Sequence, residues 1–502
     1  MSDAKNAVIL FTRVPLPKKT KTRLLDFLSP REATRLHAHL IGEINLELKK
    51  LTNTQIFVFF TPPGESEILR EILGEEWLYH AQSEGDLAIR MLNAFKFVKS
   101  LGFEKILLLG SDIVNLRARR ICECFDALDT NDVVIDPTLD GGYALIGLKE
   151  IEDEIFSSDY SDAKNVYKGI CAKFNELNLS FKSFASLRDI DTKEDIFAHV
   201  SHVRRLSALA SGEYNINYKF KKRGASLVFR INTKSQIGLK RQVKYEFDAL
   251  KVLESSGVTP KAYEYFAPSP FLPRGAMSME FLPGRALDYR RDLKTAAQLL
   301  ARIHSVPLPK KHKFLIARKP LAAMMTECGK MARIYHGSKF KSKNASEFLS
   351  WLEERLGGLN LSREISEPRI INTELNSGNF LINEGAQSYV IDWEKPIVGE
   401  KEQDLAHFLA PTTTFWKTDV ILNFNEMQNF LNEYEKFLSV DRAKFNEYLA
   451  MTCFRGLSWC AMAYTEYQGA RAIKNAATYA KIKEYLSDKF LSNISIFLKD
   501  IS

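Results

Sequence analysis

Arg13, Lys18, Lys19, Lys21 and Arg23 crowd one short loop, directly after the apolar run Val8-Ile-Leu-Phe11. Point charges and guanidinium forks this close together suit a polyphosphate, whose charge they would neutralise and whose geometry they would fix. Farther along, two aspartates each close an apolar run. Asp112 follows Lys105-Ile-Leu-Leu-Leu-Gly-Ser111, and Asp392 follows Ser388-Tyr-Val-Ile391. A carboxylate at the carboxyl end of a buried strand stands where open sheets bind ligands. Asp189-Ile-Asp191 offers two more such groups. Asp140-Gly141-Gly142, taken alone, reads as a plain hairpin turn.

The elements that must hold these residues can be read from periodicity. Val8–Phe11, Gln55–Phe60, Lys105–Leu109, Asp132–Ile135 and Tyr143–Gly147 read as strands separated by helical stretches, the rhythm of a three-layer α/β domain. Ser29-Pro-Arg-Glu32 carries the signs of a helix start: an N-cap serine, proline at the first position and a capping-box glutamate. Leu36, Leu40, Ile44 and Leu48 then recur at helical spacing. After Ile196 the polar stretch Ala198–Leu209 reads as a helical connector. Tyr214–Phe220 and Ala225–Asn232 then alternate as antiparallel strands around the basic turn Lys221-Lys-Arg-Gly224. A helix at Gln242–Ser255 and a strand near Ala276–Phe281 follow. The remainder is mainly helical, interrupted by a hairpin-like Asn379–Asp392. The expected domains are 1–200 and 205–502.

Composition bounds the reading. A chain of 502 residues, 45% hydrophobic and 26% charged, is too long for one ordinary core and normal for a globular protein. No apolar run approaches the ~18 residues that a membrane span needs. Six scattered cysteines without paired CxxC spacing argue against zinc and for reduced thiols in a cytoplasmic setting. The net charge of +8 reads as lysines spread over helices plus the phosphate loop, so no nucleic-acid partner is expected. Nothing in the sequence fixes the oligomeric state.

Five spaced segments resemble one family. The basic loop, Gln82-Ser-Glu-Gly-Asp-Leu-Ala-Ile-Arg-Met91, Gly110-Ser-Asp112, Asp140-Gly-Gly-Tyr143 and Asp189-Ile-Asp191 occur in the order of the DUF2064 family of GT-A-like transferases, relatives of the MobA and CofC nucleotidyltransferases. The resemblance spans about residues 7–196. It implies that Asp112 with Asp189 or Asp191 holds Mg2+, that Lys21 and Arg23 bind phosphates and act in catalysis, and that Arg13 and Lys18 bind the nucleotide. Asp86, Arg90, Asp140, Gly141 and Gly142 would meet the substrate. Lys18 stands where the family often has glycine, and Ser111-Asp-Ile-Val114 replaces Thr-Asp-x-Pro.

A second set resembles the aminoglycoside phosphotransferase/choline kinase family, over about 208–470. Arg369-Ile-Ile-Asn-Thr-Glu-Leu-Asn-Ser-Gly-Asn379 sits where that family has His-x-Asp-x4-Asn, and Val390-Ile-Asp-Trp-Glu394 follows. The resemblance implies Glu374 as the acceptor-orienting carboxylate and Asn379 and Asp392 as metal ligands. Ser211 and Gly212 would cover the phosphates, Arg230 would bind them, Glu246 would pair with Arg230, and the segment with Glu280 and Leu282 would meet adenine. Asp404 would steady the metal loop. Asn372 and Glu374 depart from the family's histidine and aspartate. Trp416, Trp459 and Tyr464 could form a cation–π cage, but their helical spacing reads better as a core stripe.

Together the two resemblances imply a GT-A-like α/β/α domain followed by a bilobal kinase-like α+β domain. The expected chemistry is a bifunctional, Mg2+-dependent transferase acting on small molecules. The second domain would phosphorylate an alcohol, amino alcohol or sugar with ATP, and the first would join the product to a nucleotide from a second triphosphate, CTP or GTP. A nucleotide-sugar glycosyltransferase for the first domain, and a non-catalytic nucleotide-binding module for the second, are the alternatives.

Overall fold

The computed structural model describes residues 5–156, 166–203, 206–211, 215–234, 238–469 and 475–500. Contacts divide it into two units, residues 1–207 with 268–273, and residues 208–267 with 274–502.

In the first unit the strands are β1 (Asn6–Arg13), β2 (Thr54–Thr61), β3 (Leu78–Ala81), β4 (Lys105–Gly110), β5 (Ile113–Val114), β6 (Val133–Pro137), β7 (Tyr143–Leu148), β8 (Phe181–Ser183) and β9 (Arg188–Asp189). Seven of them form one sheet in the order β3-β2-β1-β4-β7-β6-β8. The pleat sends alternate side chains to opposite faces. Val8, Leu10, Ile56, Val58, Leu107 and Leu109 enter one core, with Ile41 and Ile44 of α1 (Pro30–Leu48), Leu69 of α2 (Ser66–Leu73). Ala7, Ile9, Phe57, Phe59, Ile106 and Leu108 enter the other, with Phe95 of α3 (Leu87–Ser100). Two hydrophobic faces, each roofed by helices, make the expected three layers. α4 (Ala118–Ala127) joins the first face, α5 (Val166–Glu176) the second, and α6 (Lys193–Ser201) ends the run.

The start of α1 is as the sequence implies. Ser29 accepts from the Glu32 amide at 3.3 Å, and Glu32 accepts from the Ser29 amide at 2.8 Å. β1, β2 and β4 run parallel, so Arg13, Thr61 and Gly110 end at one edge of the sheet. β7 runs antiparallel to β4, which brings the turn before Tyr143 to that same edge.

The connector differs from expectation. α6 stops at Ser201, where His202 adopts a left-handed conformation with φ 54°. Residues Ser207–Ser211 form a strand, β10, instead of a continuing helix. β10 joins a sheet of order β10-β11-β12-β14-β13, and this pairing overrides the local helical propensity.

In the second unit β11 (Asn215–Lys222) and β12 (Ala225–Asn232) pair in a register that puts Lys222 opposite Ala225. The turn is therefore Arg223-Gly224, with φ 51° and 84°, the positive-φ pair that a tight two-residue hairpin demands. α7 (Gln242–Leu253), β13 (Ala262–Phe266) and β14 (Ala276–Glu280) complete this part. Helices α8 (Leu293–His304), α9 (Pro320–His336), α10 (Lys343–Gly357), α11 (Lys401–Leu409), α12 (Pro411–Thr418), α13 (Phe424–Tyr434), α14 (Arg442–Gln468), α15 (Ala476–Tyr485) and α16 (Asp488–Asp500) build most of the rest. Among them lie the short pairs β15 (Arg369–Ile371) with β18 (Ile397–Gly399), and β16 (Phe380–Leu381) with β17 (Tyr389–Val390). β16–β17 is the hairpin expected before Asp392. Among the described residues, no helix is long and apolar enough to cross a membrane.

Candidate functional site

At the carboxyl edge of the first unit's sheet lies a cavity of about 760 Å³. Its lining includes Arg13, Lys21 and Arg23 from the loop after β1, Gln82 and Arg90 near the start of α3, and Asp112, Asp140, Gly142, Asp189 and Asp191. Segments remote in sequence thus converge because their strands end at the same edge.

Asp112 sits at the cavity floor. Its main-chain carbonyl accepts from the Ile190 amide at 3.0 Å, and Ile113 pairs with Asp189 in the β5–β9 ladder. Backbone hydrogen bonds, not side chains, therefore bring the Asp112 and Asp189–Asp191 segments together. Lys21 Nζ lies 2.9 Å from Asp112 Oδ1 and 3.3 Å from Asp191 Oδ1, and it donates to the Ile190 carbonyl. Arg23 Nη1 reaches Asp191 Oδ2 at 3.1 Å. Burial would push the Asp112 carboxyl up, but the Lys21 ammonium and His37 outweigh it and hold the group well below the usual carboxylate range. Asp189 shifts the other way. Burial first, and the Asp140 charge second, push it up to about 6.

Two further residues frame this floor: His37, not singled out from the sequence, and Ser111, quoted there only as part of a motif. His37, on the buried face of α1, places Nδ1 3.3 Å from Asp112 Oδ1 and Nε2 3.0 Å from the Arg13 carbonyl. Its signal was a histidine among Ala33, Leu36 and Leu40, a polar break in an apolar stripe. Ser111 accepts from Thr12 Oγ1 at 2.8 Å, tying the ends of β4 and β1.

Other expected contacts fall elsewhere. Asp86 is exposed and accepts from the Ile89 amide at 2.9 Å, so it caps α3. It reaches the cavity only through Arg90, whose Nε donates to the Asp86 carbonyl at 3.2 Å. Lys18, at φ 65°, is exposed and is absent from the cavity lining, as is Gly141. Asp140 accepts from the Gly142 amide at 3.1 Å and from Thr138 Oγ1, so part of its work is to hold the turn into β7.

In the second unit Arg230 of β12 is buried among three carboxylates. Its guanidinium lies 3.0 Å from Glu246 of α7, 3.1 Å from Asp392 and 3.3 Å from Glu394. Glu394 also accepts from Asn215 Nδ2 at 2.7 Å. One cation among three acids leaves the acids competing. Burial pushes Glu246 and Glu394 each up to about 7, against the pull of Arg230, while the acids keep Arg230 charged. Glu394, which stood in the sequence only as a neighbour of Asp392, is thus part of the constellation.

The segment with Glu374 is laced to the segment with Asp392. Asn372 Nδ2 donates to the Asp392 carbonyl at 2.9 Å, and Lys395 Nζ donates to Glu374 Oε1 at 2.6 Å. Ile391 N donates to the Asn379 carbonyl at 2.7 Å, and Asn379 Oδ1 accepts from the Asn376 amide at 2.8 Å. Asp404, fully buried on α11, accepts from the amides of Asn372 and Thr373, both at 2.7 Å. His304 approaches the same carboxylate at 3.4 Å. Asp404 thus holds the turn by its main chain. Asp404→Ala would strand the amides of Asn372 and Thr373, a loss of about 2–6 kcal/mol at roughly 1–3 kcal/mol each. We expect a lower melting temperature for this unit; an unchanged melt would refute the anchoring role.

Glu280 ends β14, and Leu282 is buried just beyond it. Ser211 ends β10, and Gly212 lies outside the described residues. Trp416 and Trp459 meet edge to face at 5.4 Å, and Tyr464 stacks on Tyr479 at 6.0 Å. All four pack against the helical core, which matches the core-stripe reading.

Residues 45–161 match the family model described as an uncharacterized protein conserved in bacteria, DUF2064. Residues 205–438 match that of the phosphotransferase enzyme family. The chain joins a DUF2064 segment to a phosphotransferase-family segment. The matched description makes the second segment similar to a family of transferases. Among solved structures, the chain is similar to a candidate nucleotide-diphospho-sugar transferase from Desulfovibrio desulfuricans G20 (25% identity, 40% of this chain and 87% of that one, TM-score 0.38). It is similar to choline kinase LicA from Streptococcus pneumoniae (19% identity, 60% and 98%, TM-score 0.41). It is also similar to the spectinomycin phosphotransferase APH(9)-Ia (13% identity, 59% and 92%, TM-score 0.42). No curated protein matches it.

Proposed function

We propose that the DUF2064 segment is a Mg2+-dependent nucleotidyltransferase and that the phosphotransferase segment makes its phosphomonoester substrate from ATP and a small alcohol, amino alcohol or sugar. The observation that carries the first half is Asp112. It is an ionised carboxylate at the floor of a polyphosphate-sized cavity, bridged by backbone to Asp189 and Asp191, with Arg13, Lys21 and Arg23 along the lining. In this reading Lys21, Arg23 and Arg13 bind the phosphates of CTP or GTP, and Arg90 with the Asp140–Gly142 turn meets the acceptor.

The donor sets fit a hard divalent cation. In the first unit Asp112, Asp191 and the Ile190 carbonyl already surround an ammonium, and oxygen donors of this kind suit Mg2+. In the second unit Arg230 is the one cation paired with Glu246, Asp392 and Glu394 among the described residues, and the raised Glu246 and Glu394 show acids competing for it. Asp392 and Asn379 would hold the metal there. Mg2+ would supply charge neutralisation on the phosphates. Glu374 would orient the acceptor hydroxyl, a task that in phosphoryl transfer is mainly positioning.

The test uses the full chain with ATP, Mg2+, CTP or GTP, and a panel of alcohols and phosphomonoesters. Pyrophosphate release that depends on a phosphomonoester is the expected result. Hydrolysis of a nucleotide-sugar with no pyrophosphate from any pair would replace the first half by glycosyl transfer. ATP binding without phosphate transfer to any acceptor, unrescued by Glu374→Asp, would reduce the second unit to a binding module.

A further inference from the structure

We propose that Lys21 is a tethered counter-ion, whose ammonium holds the place of the divalent cation in the resting first unit. The inference rests on the reading that this cavity takes such a cation, and it concerns what fills the place beforehand. The ammonium is surrounded by three oxygens from two chain segments: Asp112 Oδ1 at 2.9 Å, Asp191 Oδ1 at 3.3 Å and the Ile190 carbonyl. The Lys21 side chain is only 4% exposed, although Lys21 lies in a loop and opens a single 3-10 turn with φ 51°. Burying a lysine at a polar cavity floor is unfavourable unless its charge is matched, and here the matching groups are the donors a hard cation would use.

His37 closes the other side of the same carboxylate. Its Nε2 lies 3.0 Å from the Arg13 carbonyl, which accepts from it, and its buried Nδ1 lies 3.3 Å from Asp112 Oδ1. A divalent cation and the ammonium repel at this range, so entry of one displaces the other. A polyphosphate would offer Lys21 a new partner, and metal binding and nucleotide binding would thereby strengthen each other.

The experiment is a Mn2+ titration followed by electron paramagnetic resonance on the full chain, without nucleotide. Lys21→Met is expected to bind Mn2+ at least tenfold more tightly than the unaltered protein, at a site that vanishes in Lys21→Met/Asp112→Asn. Lys21→Arg, which keeps a cation in place, is expected to resemble the unaltered protein. Lys21→Gln carries the same expectation as Lys21→Met should the latter fail to fold. Affinity unchanged in both neutral variants, or a gained site that survives Asp112→Asn, overturns the proposal. Since no turnover is measured, the result stands apart from whether pyrophosphate is released.

Discussion

Asp112→Asn is expected to lower pyrophosphate release by at least a hundredfold while leaving ATP-dependent phosphoryl transfer intact. A hundredfold loss corresponds to about 2.7 kcal/mol of transition-state stabilisation, less than the several kcal/mol a bound cation supplies to a phosphoryl centre. Asparagine keeps the size of the side chain and removes the charge that Lys21 and a metal would share. The backbone pairing of the two segments does not depend on that charge, because the Asp112 link to Ile190 is made by the main-chain carbonyl, and Lys21 keeps Asp191 and the Ile190 carbonyl as partners. Steady-state pyrophosphate and ADP assays on one preparation separate the two activities. Equal loss of both, or of neither, would count against placing the metal at Asp112.

Arg230→Met should have the largest effect on the second unit. Methionine is close in length but leaves Glu246, Asp392 and Glu394 facing one another with no cation between them. Breaking a buried ion pair by removing one partner costs about 3–5 kcal/mol. We expect a clear drop in the melting temperature of this unit and loss of phosphoryl transfer. Adding Glu246→Gln should recover part of the stability, since it removes one of the stranded charges, but none of the activity. Arg230→Lys should fall between, because one ammonium cannot reproduce the fork that meets three carboxylates. A melt unmoved by Arg230→Met would show that the three acids find their balance elsewhere.

Much of this could be read before any coordinates. The capping box at Ser29–Glu32, the edge-of-sheet position of Asp112 and the hairpin before Asp392 are local signals, and local signals survive folding. What the sequence did not disclose is mostly register and reach. Asp86 and Arg90 stand in one segment, but the turn of α3 spends the first on a helix cap and aims the second at the cavity. His37 becomes visible only when the buried face of α1 is laid against Asp112. Glu394 and Lys395 were neighbours of a motif, and only the lacing of residues 372–376 to 392–395 gives them partners. The connector after Ser201 failed as a helix because an edge strand was available to pair with β11.

Asp404 grips the turn at Asn372 and Thr373 by their amides, groups that every residue but proline carries. The shape of that turn is therefore largely indifferent to which side chains it bears. Such a loop can drift in its letters while keeping its path, and a missing histidine there is weak testimony that an enzyme has fallen silent.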